Sequence, residues 1–242
     1  MISVEEALER ILAEITSLPA TSVPLAEALG LVLAQDVVAQ EDMPPFANSA
    51  MDGFALLSRD SQPRNGQPPR LRITGEVAAG YVADSSVEEG TAMRIMTGAP
   101  VPPGADAVIQ VELTRSDEPG SEWVEILEPV KPGNNIRPAG EDIQRGKTIL
   151  MRGSEIGPWE IGVLATLGWA SVPVVSRPQV AILGTGDEVI DVDEPLRPGK
   201  IRNSNSYLLE AAVRRAGAEP HRLGVARDTI ESLREKFTQA VQ

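Results

Sequence analysis

Cysteine is absent from the 242 residues, and histidine occurs once, as His221. Without a thiol there is no disulfide, no thiolate nucleophile and no cysteine-ligated zinc. A single imidazole also excludes a two-histidine metal site and a histidine relay. Chemistry must therefore run on carboxylates, hydroxyls, backbone amides and Lys or Arg. Aromatic residues make up only 3% of the chain, so Val, Ile, Leu and Ala must fill the cores. Positive charge is short too, with 22 Lys and Arg against 35 Asp and Glu, a net charge of −13. Nucleic acids and anionic membrane surfaces both call for a basic face, so neither is an expected partner. No apolar run reaches the roughly 18 residues of a membrane span. The opening MISVEEALER is acidic and amphipathic, unlike a signal peptide, and a cytoplasmic location is expected.

What is abundant is Gly, at 21, and Pro, at 20, which points to many turns and short elements rather than a helical bundle. The length suits one large domain or two to three small ones. Ser3-x-x-Glu6 reads as a capping box, and Val4, Leu8, Ile11, Leu12 and Ile15 follow helical spacing to about Thr16. Pro24 to Leu29 reads as a short helix stopped by Gly30, and Leu31 to Ala39 as a strand. Between Pro44 and Gly140 short strand-like runs recur at Gly53–Leu57, Leu71–Val77, Ala92–Met96, Ala105–Val111 and Trp123–Leu127. Such spacing suggests a small barrel or sandwich. Ser58–Pro69 and Arg115–Ser121 read as exposed hairpin connections. From Gly157 the pattern changes to a helix over Pro158–Gly168, a strand over Ala170–Val175, then strand, helix, strand and helix over Gln179–Val189, Asn205–Ala216, Glu219–Val225 and Thr229–Val241. That alternation implies a parallel sheet. A parallel sheet of two strands would be poorly covered, so further sheet beyond Gln242 is expected. Trp123, Trp159 and Trp169 read as packing residues, and His221 as structural.

Four segments mix acids with Gly and small polar residues. Asn48-Ser49-Ala50-Met51-Asp52-Gly53 follows two prolines and enters a strand by an Asp-Gly turn. As a bare turn it needs no function, but it sets Asn, Ser and Asp beside apolar Phe46 and Met51. Met93 to Val108 ends a strand in Thr97-Gly98 and continues as a proline-braced loop. Its amides and the Thr97 hydroxyl are candidates to hold an oxyanion, although on spacing alone a rigid inter-strand loop is the better reading. Lys131 to Thr148 suggests a P-loop, but Gly140 to Gly146 encloses five residues where the Walker pattern needs four, and no helix pattern follows. What remains there is Arg137, Glu141 and Asp142 in a turn-rich loop. In the fourth, AILGTGDEV puts Gly184, Thr185, Gly186, Asp187 and Glu188 at the carboxyl end of a strand, the edge where open α/β sheets bind ligands. The third Gly of the dinucleotide fingerprint is missing, which argues against NAD. Lys200 and Arg202 add positive charge before the next helix, and Ser204 is its candidate N-cap and anion-holding start. Asp228 lies at the same expected sheet edge as Glu188. Acids beside an anion site suggest a bridging Mg²⁺.

PPFANSAMDGFA, MRIMTGAPVPPGADAV, IRPAGEDI, ILGTGDEV and PGKIRNSN, in that order, resemble the molybdopterin molybdenumtransferase family, which includes the E domain of gephyrin. The resemblance implies a multidomain fold mixing α/β and β parts. An elongated, discontinuous dimerisation domain would take residues 1–43 plus 141–175. A β-barrel-like domain would be inserted at 44–140, and the start of an α/β parallel-sheet, molybdopterin-binding-like domain would fill 176–242. The family continues past this point, so the chain is expected to be an N-terminal portion that is inactive alone. The implied reaction is Mg²⁺-dependent insertion of molybdenum, from molybdate, into adenylyl-molybdopterin, with release of AMP. The sulfur ligands belong to the substrate, which suits a chain without Cys. By motif matching Asp52, Thr97 and Asp142 are implied as catalytic, Glu188 and Asp228 as metal-handling, and Gly184, Thr185, Gly186, Lys200 and Ser204 as substrate-binding. The implied partners are a second copy, with a cleft shared between subunits, the pterin substrate and the molybdopterin adenylyltransferase. Two rival readings are a dimeric scaffold without catalysis and a generic Mg²⁺-dependent phosphohydrolase.

Overall fold

The structure is a computed structural model and describes residues 2–116 and 121–241. It divides into two compact units, Val38–Ile149 and a discontinuous unit of Met1–Val37 with Leu150–Gln242.

The unit Val38–Ile149 is built on one six-stranded sheet. Its strands are β1 (Gly53–Leu56), β2 (Arg70–Val77), β3 (Thr91–Ile95), β4 (Ala107–Gln110), β5 (Thr114–Arg115) and β6 (Trp123–Ile126), in the spatial order β4-β1-β3-β2-β6-β5. All pairs are antiparallel except β2 with β3. The two edge strands, β4 and β5, are joined only by the 3₁₀ turn Val111–Leu113. The first and last strands are therefore neighbours along the chain, and the sheet must roll toward closure, which removes exposed edges. The expected barrel-like character is met, and the five expected strand runs all form; the sixth strand, Thr114–Arg115, was not expected.

Period-2 alternation explains the core. Phe54 and Leu56 of β1 join Leu71, Ala92, Ile109, Val124 and Ile126 in one cluster. Ala55, between them, faces the opposite way and joins Val77, Met93, Ile95 and Val108. Both faces of β1 are thus covered, so its sequence is uniformly apolar rather than alternating. Gly53 is dictated by the approach of β4, since a Cβ there would stand 1.8 Å from the Ile109 carbonyl oxygen.

The expected exposed connection at Ser58–Pro69 needs correction. Its start forms a 3₁₀ turn, Ser58–Ser61, with Ser58, Asp60 and Ser61 buried. Each polar group there finds a partner: the Ser58 amide and hydroxyl donate to Asp106, Asp60 accepts from the Gly90 amide, and the Ser61 hydroxyl receives the Val130 amide. Burial is affordable because no donor or acceptor is orphaned. In the second expected connection, Arg115–Ser121, residues 117–120 lie outside the described residues.

In the discontinuous unit, α1 (Val4–Glu14) starts where Ser3 accepts the Glu6 amide. Only this half of the capping box forms, because the Glu6 carboxylate pairs with Arg10 at 2.6 Å instead. The antiparallel strands Ala20–Pro24 and Ser171–Val175 and the helix α2 (Pro158–Thr166) enclose a core of Ala28, Leu33, Val37, Ile156, Leu164, Val172 and Val174. Two expectations fail here. The helix read at Pro24–Leu29 is a single 3₁₀ turn, Leu25–Glu27, after a strand, and a piece that short does not propagate on its own. The strand read over Leu31–Ala39 shrinks to Val37–Val38, with Val32 and Leu33 making isolated bridges. That run is apolar because it crosses the core, not because it pairs along its length. Trp169 packs against this core, but Trp159 is 86% exposed and Trp123 is half-exposed, so only Trp169 is clearly a packing tryptophan.

The rest of the unit is the expected strand–helix–strand–helix series. Strand β7 (Gln179–Thr185) runs parallel to β8 (Glu219–Ala226), with α3 (Ser204–Arg215) between them in sequence and α4 (Ile230–Ala240) after them. Among the described residues no helix is long and apolar enough to cross a membrane.

Candidate functional site

In the barrel unit the first three sequence segments converge on a two-residue ribbon. Asn48 and Ser49 pair antiparallel with Arg137 and Ile136 of the third segment. The same ribbon meets the second segment: the Ser49 amide donates to the Ala99 carbonyl, and the Gly98 amide to the Ser49 carbonyl. Further back, the amides of Gly140 and Asp142 donate to the carbonyls of Pro44 and Met43. Asn48 and Ser49 are buried, which fits a polar ribbon whose backbone is paired on both sides.

Asp52 leaves this ribbon just before Gly53. Its Oδ1 accepts both the Thr97 amide and the Thr97 hydroxyl, each at 2.7 Å. The Thr97 hydroxyl, then the Thr97 amide, and more weakly the nearby Arg94 cation, hold the Asp52 carboxyl below the ordinary aspartate value. It is an exposed carboxylate oriented by Thr97. The expectation that Thr97 and its loop amides hold an oxyanion is corrected by the same bonds. The Thr97 donors face Asp52, and the amides of Gly98 and Ala99 are spent on Ser49 and Met96. Thr97 orients an acid instead. Asp142 is exposed, and no ion pair joins Arg137, Glu141 and Asp142 among the described residues.

In the other unit the register of β7 with β8 sets Thr185 beside Ala226. Gly186, Glu188, Arg227 and Asp228 therefore emerge at one carboxyl edge. The Gly186 amide donates to the Ala226 carbonyl and closes that edge. Gly186 has φ +130°, and a Cβ there would meet the Glu188 carboxylate at 2.6 Å, so the acid folds back over the glycine. Beyond the turn, Val189–Ile190 pairs with Ile201–Arg202, and the Lys200 ammonium donates to the Asp187 carbonyl. Gly184 lets the start of α3 pack close, with Asn203 Nδ2 at 3.1 Å from where its Cβ would be.

The cap of α3 is Asn203, not Ser204: the Asn203 side-chain oxygen Oδ1 accepts the Ser206 amide at 3.1 Å. Asn ranks with Ser as a cap, so composition alone did not decide between neighbours. Ser204 is instead the first residue of the helix. A cavity of about 300 Å³ lies at this helix start, lined by Gly184, Thr185, Val189, Asn203, Ser204 and Ser206 among others. Thus Gly184, Thr185 and Ser204 share one cavity, and Gly186 and Lys200 line another. Sequence reading missed Arg94, whose charge acts on Asp52, and Asn203. Among the described residues no three His, Asp or Glu side chains gather closely enough to form a metal site on their own.

Residues 2–168 match the family described as "MoeA N-terminal region (domain I and II)". Residues 181–242 match "Probable molybdopterin binding domain". A molybdopterin molybdenumtransferase of Staphylococcus aureus (strain Mu50) is 40% identical over 232 residues, 96% of this chain and 55% of that protein. The Bacillus subtilis (strain 168) protein of the same name is 38% identical, over 95% of this chain and 54% of its own length. A crystal structure of the molybdopterin biosynthesis moeA protein from Pyrococcus horikoshii OT3 superposes with a TM-score of 0.89 at 36% identity, over 100% of this chain and 64% of that one. The chain spans about 55% of the length of the curated relatives it matches.

Proposed function

Because this chain belongs to the MoeA family, we propose that it acts in molybdenum cofactor biosynthesis, as a pterin-handling part of a molybdopterin molybdenumtransferase. The substrates would be adenylyl-molybdopterin and molybdate. The adenylyl bond would be cleaved, AMP would leave, and molybdenum would pass to the dithiolene sulfurs. A protein without Cys suits this reaction, since every thiolate is brought by the substrate.

One observation carries the reading: Gly186, Glu188 and Asp228 stand at the carboxyl edge of two parallel strands, beside a polar cavity at the start of α3. That edge is where α/β sheets take phosphorylated ligands. Gly184, Thr185 and Ser204 would line the substrate cavity, and Lys200 would attract its anionic groups. Asp52, oriented by Thr97, and Asp142 would serve the reaction by positioning or by accepting a proton. For Asp52, a depressed pKa favours the acceptor role at neutral pH over donation.

Glu188 and Asp228 fit Mg²⁺ as hard oxygen donors. With no cluster of three acids among the described residues, the remaining ligands would come from substrate oxygens and water. Bound there, the ion would offset negative charge on phosphate or molybdate oxygens. The reading also takes the division at 1–43 plus 141–175, 44–140 and 176–242 as its domain scheme, a cytoplasmic setting, and a homodimer.

Binding of adenylyl-molybdopterin, followed through pterin fluorescence, tests the site. Affinity is expected to fall at least tenfold, about 1.4 kcal/mol, when Mg²⁺ is chelated or when Glu188 is replaced by Ala. Binding indifferent to both changes would remove Glu188 and the metal from the reading.

A further inference from the structure

A second cavity lies at the Gly186 turn. It measures about 330 Å³ and shares Val189 with the cavity at the start of α3. Its lining includes three cations, Arg197, Lys200 and Arg227, together with the Gly186 backbone. Three cations around one cavity run against the grain of a chain whose net charge is −13.

The acids that face them do not neutralise them by direct pairing. Of the two lining carboxylates, Glu194 accepts the Asp191 amide and is committed to its own turn. Asp187 engages Lys200 through its neutral carbonyl. Neither Arg197 nor Arg227 takes part in an ion pair among the described residues. Elsewhere in the same unit, Arg10, Arg214 and Arg222 pair with glutamates, whereas Arg152, Arg177, Arg202, Arg215 and Arg234 form no ion pair among the described residues and do not line this cavity. Two guanidiniums are thus left open where the chain has placed a cavity.

The cations come from separate stretches of backbone, which makes the cavity a built feature rather than a run of basic residues. Arg197 and Lys200 belong to one turn, closed by the Lys200 amide donating to the Arg197 carbonyl. Arg227 follows β8 and is fixed from the far side, its amide donating to the Ser232 hydroxyl at 3.1 Å. Guanidinium forks match the paired oxygens of a tetrahedral oxyanion, and an ammonium adds a point charge.

We propose that Arg197, Lys200 and Arg227 form a second anion subsite that takes a tetrahedral oxyanion, separate from the cavity at the start of α3. This deepens the insertase reading and rests on it: the occupant is either free molybdate or a phosphate of the pterin substrate. Arg197 and Arg227 are the residues it adds. Two cavities that share Val189 would hold two anionic groups side by side, with Glu188 and Asp228 at the same strand edge.

The test is isothermal titration of the chain with sodium molybdate and, separately, with inorganic phosphate. Wild type, Arg197→Ala, Arg227→Ala and a surface control, Arg215→Ala, are compared, with circular dichroism as the check on folding. Both pocket variants are expected to lose at least tenfold in affinity for one oxyanion, while the control matches wild type. Preference for molybdate identifies the subsite with the metal oxyanion, and preference for phosphate identifies it with the pterin substrate. An affinity unchanged in both variants, or lost equally in the control, overturns the subsite. If neither oxyanion binds wild type while adenylyl-molybdopterin does, the subsite falls and the insertase reading stands. If adenylyl-molybdopterin fails as well, both fall.

Discussion

Asp52 shows how much a single acid owes to its neighbour. The sequence offered an Asp-Gly turn with Thr97 far away in the chain, and nothing in their spacing joined them. Their contact depends on the ribbon at Asn48–Ser49 pairing with the loop after β3, a long-range event that local pattern does not carry. Replacing Thr97 by Val removes the hydroxyl donor while keeping the shape. The Asp52 pKa is then expected to rise toward its ordinary value in a carboxyl ¹³C titration, and an unchanged value would remove the hydroxyl as the cause. The sign for stability follows. A depressed folded-state value favours the fold above the unfolded-state pKa, and that contribution is lost as pH falls through the folded one. The Thr97→Val protein should therefore lose less stability than wild type across the acid limb, read from chemical denaturation.

At the scale of elements, five of the six barrel strands were legible because they are short, largely apolar and bounded by turn residues, while the polar pair Thr114–Arg115 carried no such signal. The parallel pair was legible from the alternation of periods. The elements that misled were those whose apolar residues serve a core crossing rather than pairing, as at Leu31–Ala39. The buried turn at Ser58–Ser61 was hidden because its polar composition looks solvated until Asp106, Gly90 and Val130 are brought to it. Element ends depend on such details. Asn203→Ala is expected to cost about 1 kcal/mol in urea denaturation through the lost cap, whereas Ser204→Ala should cost less, since Ser204 does not cap the helix. Equal losses would return the cap to Ser204. Gly53→Ala should cost roughly 3 kcal/mol, because no Cβ fits 1.8 Å from the Ile109 oxygen without moving β4 away from β1.

At the scale of the molecule, α1 stands out. None of its residues is buried, and Val4, Leu8, Ile11, Leu12 and Ile15 are each more than half exposed. An isolated helix of 11 residues is marginal in water, so its apolar face calls for a partner, and the proposed homodimer supplies one. Sedimentation equilibrium is expected to return a dimer for wild type and a monomer for Leu8→Asp combined with Ile11→Asp, and a monomeric wild type would count against it. Of the candidate site, the sequence marked Gly184, Thr185, Gly186, Lys200 and Ser204 but could not divide them between two cavities, because that division depends on how Val189–Ile190 pairs with Ile201–Arg202; Glu188 and Asp228 line neither cavity. Substrate class is the central claim, and it separates an insertase from a generic phosphohydrolase. Titrating the chain with adenylyl-molybdopterin and with AMP in the presence of Mg²⁺ measures it directly. Adenylyl-molybdopterin is expected to bind at least tenfold more tightly, and equal affinity for the two would contradict the reading.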